Sequence, residues 1–126
     1  MKTKITYALL LALLATSLSS FLLTDFNKTI IGKWELKTIQ SPGKPAMDTK
    51  SVLGESFMQF NSDFTYNETG WRETKGIWKI VDNKYLQTKG EKQADFTEKI
   101  ELKELASDKI EMSTSDKKKF VYQLVK

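Results

Sequence analysis

From Ile30 onwards, apolar and polar residues alternate with a period of two, and this pattern limits the fold more than any other feature of the sequence. Trp34 and Leu36 fall on one face of an extended chain, and charged residues fall on the other. The same alternation recurs at Ile100 and Leu102. One apolar and one polar face are typical of antiparallel strands, and no stretch keeps a helical period over three turns. We therefore predict an all-β domain.

Clusters of Asn, Asp, Ser and Gly separate the alternating segments, and these residues favour tight reversals. Most connections are short, so neighbouring strands should pair as hairpins. Eight such strands leave exposed edges unless the sheet closes, so we predict a single antiparallel up-and-down eight-stranded β-barrel. The predicted strands lie near residues 30–40, 55–61, 64–69, 73–81, 84–89, 94–105, 108–114 and 118–126.

The one long connection runs from Ser41 to Gly54. It contains both prolines of the chain, Pro42 and Pro45, and two of its six glycines. Proline and glycine interrupt regular structure, so this segment is predicted as a loop with a short helical turn near residues 49–53.

The N-terminus has the layout of a secretory signal peptide. Residues 1–4 are basic, residues 5–15 form an apolar run rich in Leu and Ala, and residues 16–20 include small side chains suited to cleavage. Cleavage is expected near Ser19 or Ser20. The protein is therefore expected to be exported, to the periplasm or outside the cell.

These features divide the chain into a signal peptide (residues 1–20), a short linker (21–29) and the barrel (30–126). An alternative stays open, because residues 5–23 are a mostly apolar run of nineteen that is just long enough to cross a bilayer as an uncleaved anchor. Contact with a membrane is expected only through that segment.

The absence of two residue types excludes several chemistries. The chain contains no Cys and no His, which excludes thiolate or imidazole catalysis, a zinc site of the usual ligands, and disulfides. Carboxylate pairs such as Glu68 with Glu73 or Glu98 meet the minimum for glycoside hydrolysis, but nothing in their spacing selects one pair. We expect no enzyme activity, no metal and no cofactor.

The charge balance gives no reason to expect a nucleic-acid partner. The formal net charge is +4, but Lys2 and Lys4 lie in the predicted signal peptide, and the remaining 18 cations and 16 anions give +2. Nucleic-acid binding generally needs a basic stripe.

Two short motifs resemble those of a known family. Gly32-Lys33-Trp34 stands at the start of the first strand and Gly76-Ile77-Trp78 lies in a later one, and residues 58–66 read Met-Gln-Phe-Asn-Ser-Asp-Phe-Thr-Tyr. Over residues 30–126 the chain resembles small bacterial exported lipocalin-like domains. Those often have glycine where this chain has Phe64, and this domain is shorter than a full lipocalin and lacks its C-terminal helix.

The resemblance implies an eight-stranded barrel that binds a small ligand. Trp34 would plug its closed end, with a basic residue, Lys119 or Arg72, over the indole ring. Inward-facing rings would either line a pocket for an apolar or aromatic ligand or fill the barrel themselves. The candidates are Phe60, Phe64, Tyr66, Trp78, Phe96, Phe120 and Tyr122. The polar residues Glu68, Gln87 and Glu98 are predicted to share the inward face.

Two functions follow from these alternatives. The first is a binder or carrier of a small apolar or aromatic ligand, which a cavity of a few hundred cubic ångströms would favour. The second is a protein-interaction or inhibitor module with a filled barrel, which would use the segment 41–54 against a partner that the sequence does not identify. An exposed apolar patch on that segment would favour it.

Overall fold

The computed structural model describes residues 24–126. The predicted signal peptide and the first three residues of the predicted linker lie outside the described residues. The part of the chain that is described contains two short helices and nine strands. The elements are α1 (Phe26–Thr29), β1 (Gly32–Gln40), β2 (Met47–Asp48), α2 (Thr49–Leu53), β3 (Phe57–Phe60), β4 (Thr65–Thr69), β5 (Thr74–Val81), β6 (Tyr85–Gly90), β7 (Ile100–Ala106), β8 (Lys109–Ser113) and β9 (Lys119–Leu124).

Eight of the strands form a closed antiparallel barrel, which confirms the predicted fold class. Strands β3 to β9 pair each with the next, β3 also pairs with β1, and β1 closes the barrel by pairing with β9. The closing register runs from Trp34 opposite Leu124 to Gln40 opposite Lys119, with a bulge between Leu36 and Thr38. Because the barrel is closed, each of these eight strands pairs with a neighbour on both sides.

The weakest seam of the barrel lies between β6 and β7. Only two residue pairs join these strands, including Leu86 opposite Ile100. The predicted strand 94–105 is wrong in its first part, because residues 94–99 belong to a loop. The Thr97 amide donates to the Thr88 carbonyl at 2.8 Å, but the Thr88 amide donates to the Thr97 hydroxyl at 3.1 Å, so a side chain takes one of the positions of the ladder where a strand was expected.

The long connection is ordered by one buried side chain. Thr49 is fully buried at the start of α2, and its hydroxyl donates to the Leu36 carbonyl at 2.8 Å. Asp48 caps the helix by accepting from the Lys50 amide at 3.1 Å. Helix α2 confirms the helical turn predicted near residues 49–53, and β2 pairs antiparallel with the end of β1, with Asp48 opposite Thr38.

Helix α1 belongs to the barrel, so residues 24–29 are not the linker that the sequence predicted. Phe26 and Ile30 are buried in the core, and the Trp34 indole donates to the Ile30 carbonyl at 2.8 Å. Asn83 fastens this segment to the β5–β6 turn, since its side-chain oxygen accepts from the Phe26 amide at 3.0 Å. The buried face of Phe26, which composition alone did not reveal, keeps the segment in place.

The interior near α1 is filled by large side chains. Trp34 and Phe60 are at most 1% exposed, and the Phe60 ring meets the Trp78 ring edge-on at 5.7 Å between centroids. We call this end the packed half. Its core residues are Ile30, Trp34, Phe60, Trp78, Leu86 and Ile110.

Candidate functional site

A cavity of about 290 Å³ lies inside the opposite half of the barrel, which we call the open half. It lies near the end where the β4–β5 turn, the β6–β7 loop and the β8–β9 turn meet. Small-molecule sites typically measure about 300 to 1,000 Å³, so this cavity lies just below the lower limit of that range. The lining residues are Met58, Glu68, Trp71, Arg72, Thr88, Thr97, Ile100, Met112, Thr114, Asp116, Lys118, Phe120 and Tyr122.

The apolar part of the wall comes from inward positions of four strands. Met58 and Met112 are buried, and Ile100 and Phe120 are half-buried. Tyr122 adds a ring two residues from Phe120, on the same face of β9. Methionine adapts its shape to a neighbour, so this wall suits an apolar or aromatic body.

Glu68 brings a carboxylate to the inner wall, as its inward position on β4 predicted. Burial raises the pKa of Glu68, and the positive charge of Arg72 opposes that rise. No hydrogen bond or salt bridge joins the Glu68 carboxylate to another residue between 24 and 126. A partly desolvated carboxylate without a partner is stabilised by a group that donates a hydrogen bond to it.

Two tyrosines near this carboxylate keep their protons. Burial raises the pKa of Tyr122 far above its ordinary value, and the negative charge of Glu68 adds to that effect while Arg72 opposes it. The pKa of Tyr66 is also raised by burial, with a hydrogen bond to Thr88 acting in the opposite direction and Glu68 acting in the same one. Both hydroxyls therefore remain neutral hydrogen-bonding groups at ordinary pH.

The β4–β5 turn places an aromatic and a cationic side chain at the rim. Trp71 is 41% exposed, and the Arg72 guanidinium stacks on its ring at 4.5 Å from the centroid. The Trp71 amide donates to the Ser56 hydroxyl at 3.0 Å, which holds the turn against the start of β3. Gly70, with φ of +95°, allows this approach, because a Cβ there would lie 2.2 Å from the Glu55 carbonyl oxygen.

The structure divides the predicted aromatic set between the two halves and the outer surface. Tyr122 and Phe120 line the cavity. Phe60 and Trp78 fill the packed half, where Trp34 also lies. Tyr66 is buried in the interior without lining the cavity. A pocket formed by the whole set is therefore not what the barrel contains.

Phe64 and Phe96 do not face the interior, which corrects the prediction for both. Phe64 lies in the β3–β4 turn with φ of +66° and is 51% exposed, its ring tilted against Trp78 at 5.0 Å. The left-handed backbone of the turn directs this side chain outwards. Phe96 lies in the β6–β7 loop, outside the strand ladder, where the Lys79 ammonium sits 4.2 Å from its ring centroid.

Four polar residues do not lie where the sequence predicted. Arg72 stacks on Trp71, and Lys119 approaches Glu111 at 4.0 Å, so both lie at the opposite end of the barrel from Trp34. Gln87 points outwards and donates to the Thr97 carbonyl at 2.8 Å. Glu98 accepts from the Ser115 hydroxyl at 2.6 Å in an exposed loop.

Sequence reasoning missed most of the wall. Met58 follows the period-two pattern and could have been assigned to the interior from it. Thr88 also follows it, but a threonine on an inward face carries no signal that it borders a void. Thr97 and Trp71 lie in connections, where alternation gives no information.

Other depressions do not compete with the interior cavity as a site. Three shallow ones on the outer surface measure about 450 to 560 Å³, and they are lined largely by outward side chains such as Lys75, Ile77 and Lys103. A void of about 10 Å³ adjoins the cavity behind Glu68 and Tyr122, which is space for about one water molecule.

Comparisons with known proteins show the fold alone. No family model and no curated protein matches the chain. The fold is similar to that of an uncharacterised protein from Bacteroides eggerthii DSM 20697, in a crystal structure at 2.60 Å resolution. The TM-score is 0.60 and the sequence identity 14%, over 76% of this chain and 99% of that chain.

The chemistry of the site is limited in two respects. Within residues 24–126, no group of three or more Asp or Glu side chains is placed to hold a metal ion. Glu73 and Glu98, which the sequence offered as examples of carboxylates that could pair with Glu68, are not among the cavity-lining residues. Over the same residues, neither helix has the length and apolar character needed to span a bilayer.

Proposed function

We propose that this protein is an exported lipocalin-like domain that binds a small ligand in the open half of its barrel. The observation that carries the proposal is the cavity of about 290 Å³ inside a barrel whose other half is filled. An eight-stranded barrel can be filled completely by its own side chains, so an interior space reflects the choice of residues along the strands.

The wall favours a ligand with an apolar or aromatic body. Met58, Met112 and Phe120 supply adaptable and aromatic surface, and the neutral Tyr122 supplies a polar atom for orientation. A cavity of this volume accommodates a compact molecule about the size of one or two fused rings, and excludes a long lipid chain unless the chain projects past Trp71.

The geometry of the first motif supports the family resemblance. Gly32 has φ of +139°, which favours glycine, and a Cβ there would lie 3.1 Å from Leu124. Two residues later Trp34 is fully buried, and its indole donates to the carbonyl of Ile30 just after α1. We propose that the chain acts as a binder without catalysis; the cavity wall carries two carboxylates, Glu68 and Asp116, and neither Glu73 nor Glu98 is among its lining residues.

Methyl NMR tests the proposal directly, because the chain contains four methionines and two of them line the cavity. In protein labelled at the methionine methyl groups, a library of small aromatic and aliphatic compounds is expected to shift Met58 and Met112 and leave the exposed Met47 unchanged. Native mass spectrometry of protein from its own host would show any ligand that co-purifies.

A matched pair of variants identifies the site. Ile100→Phe adds volume at the cavity wall and is expected to weaken binding at least tenfold, whereas Ile77→Phe makes the same change on the outer surface, where Ile77 is 44% exposed. Equal effects of the two variants, or library compounds that shift Met47 as much as Met58, would contradict binding inside the barrel.

The protein-interaction alternative keeps one supporting observation. Met47 and Val52, on the segment 41–54, are 38% and 61% exposed. That function was tied to a filled barrel, and the cavity is the reason that we place small-ligand binding first. Binding of a partner to this segment would be lost in the variant Val52→Glu, whereas the ligand-induced NMR shifts of Met58 would stay unchanged.

A further inference from the structure

The Glu68 carboxylate is the feature of the cavity that the proposed function leaves unexplained. It lies on the inward face of β4, and the four salt bridges among residues 24–126 all involve other carboxylates. No buried side-chain oxygen or nitrogen in this part of the chain lacks a hydrogen-bond partner, so the unpaired oxygens of Glu68 remain accessible from the cavity.

An unpaired carboxylate on this wall carries a desolvation cost, which stays small because its oxygens remain accessible from the cavity. Moving a charge away from water without a partner is unfavourable, and burial raises the pKa of Glu68 for that reason. A neutral side chain of the same shape would avoid this cost. A ligand that brings a positive charge to Glu68 would recover it by a charge-assisted hydrogen bond.

The preference for a cation comes from the position of Glu68 and not from the net charge of the wall, because the charged residues that line the cavity are two acids and two bases. Arg72, the cation nearest to Glu68, is exposed at the rim and stacks on Trp71. Asp116 and Lys118 also line the cavity and carry opposite charges. The rings of Phe120 and Tyr122 complete the wall, and the faces of aromatic rings attract cations.

We propose that the open half binds small organic amines, with the ammonium group on Glu68 and the apolar body against Met58, Met112 and Phe120. This inference rests on the proposed ligand-binding function and adds the charge of the ligand. The selectivity comes from one carboxylate, so it is separable from binding as such.

Three probes with the same phenyl body and different charges test the inference. Phenethylamine is cationic, 2-phenylethanol is neutral and 3-phenylpropanoate is anionic. Titrations followed at the Met58 and Met112 methyl groups of the full chain are expected to show phenethylamine binding at least about tenfold tighter than either of the others. Tenfold corresponds to about 1.4 kcal/mol at 25 °C.

Two conservative variants assign the preference to one side chain. Glu68→Gln is expected to bring phenethylamine down to the affinity of 2-phenylethanol, whose own binding should change less than threefold. Glu73→Gln makes the same change of net charge at an exposed position outside the cavity lining and is expected to keep the preference.

The pH dependence provides a second readout. Phenethylamine binding should weaken as the pH falls through the raised pKa of Glu68, because the carboxyl group then becomes neutral. The other charged groups that line the cavity are Arg72, Asp116 and Lys118, and the Thr114 hydrogen bond lowers the pKa of Asp116. Asp116 therefore stays ionised through this range, and the hydroxyls of Tyr66 and Tyr122 stay protonated.

The outcomes separate this inference from the proposed function. Equal or tighter binding of the alcohol or the acid, or an amine preference that survives Glu68→Gln, overturns the amine inference and leaves ligand binding intact. No shift of Met58 with any of the three probes also overturns it, and the compound library then decides whether the cavity binds anything. Preference that is lost in Glu68→Gln and kept in Glu73→Gln supports it.

Discussion

The two halves of the barrel are built from the same strands with the same alternation, yet one is solid and the other hollow. Around Trp34 and Phe60, large side chains meet across the axis and exclude water. Around Glu68 and Thr88, the inward positions further along the strands carry smaller or charged side chains, and a cavity remains between them. The difference lies in the size of the inward residues and not in the strand pattern.

Strand β6 shows the change within a single element. Its inward residues are, from the packed half to the open half, Leu86, Thr88 and Gly90, and all three are buried. Each step removes volume from the interior while the ladder to β5 continues as far as Gly76 opposite Gly90. A taper of this kind separates the part of a barrel that provides stability from the part that can bind a ligand.

The largest expected effect compares the same residue type in the two halves. Trp34→Ala removes a fully buried ring and its hydrogen bond to Ile30, and should destabilise the protein by about 3–5 kcal/mol. Trp71→Ala removes a rim side chain that is 41% exposed and should cost less than about 1 kcal/mol. Urea unfolding measures both values, and similar losses would refute the division into halves.

Gly76 tests how the barrel narrows its interior where β5 and β6 bend together. A Cβ on Gly76 would lie 2.1 Å from the Lys89 carbonyl oxygen and 2.8 Å from the Gly90 Cα, both of which are backbone atoms. Gly76→Ala should therefore destabilise the fold by about 2 kcal/mol, in the range of overpacked sites. Thermal unfolding should show the loss, and Lys75→Ala, an exposed neighbour, should change the melting temperature little.

The sequence predicted the barrel because period two and turn chemistry are local signals. The alternation at Trp34 and Leu36 defined an inward face, and short connections required neighbours to pair. It did not predict that β7 begins at Ile100, because residues 96–99 contain no Gly, Pro, Asn, Asp or Ser to mark a break before it. Before that residue the Thr97 hydroxyl accepts a hydrogen bond from the Thr88 amide of β6, and such a side-chain contact has no sequence pattern.

The candidate site was only partly predictable for the same reason. The alternation along the strands placed Tyr122 and Glu68 on the inward face, and both line the cavity. Alternation could not predict the direction of the Phe64 or Phe96 side chain, because Phe64 lies in a turn with a left-handed backbone and Phe96 lies in a loop. Trp71 reaches the rim through a turn that depends on the contact of Gly70 with β3, which is a tertiary constraint.

A variant of Asn83 allows the attachment of α1 to the barrel to be measured separately from the packing of the core. The Asn83 side chain bonds to the Phe26 amide and donates to the Thr24 carbonyl at 2.6 Å. Asn83→Gly keeps the left-handed backbone, φ +47°, and removes both bonds, so a loss of about 1–2 kcal/mol is expected. Hydrogen exchange should then accelerate at the Ile30 amide and not at Met112. Uniform acceleration would indicate that α1 and the barrel unfold together.

The smallest expected effect concerns Glu68 and depends on pH. The pKa of Glu68 is raised in the folded state, so its contribution to stability is complete below the pKa of the unfolded chain and is lost as the pH rises through the folded-state pKa. Glu68→Gln should therefore be more stable than the natural protein at neutral pH, by less than about 1 kcal/mol because the cavity admits water.

That difference should disappear in acid, where Glu68 is neutral in both the folded and the unfolded chain. Asp63 and Asp116, whose pKa values are lowered by hydrogen bonds from Thr65 and Thr114, affect both proteins alike and cancel in the comparison. Urea unfolding across the pH range measures the difference, with Glu73→Gln as the exposed control. A variant that is less stable at neutral pH would mean that the carboxylate stabilises the barrel, so the open half would share in folding and would not be reserved for a ligand.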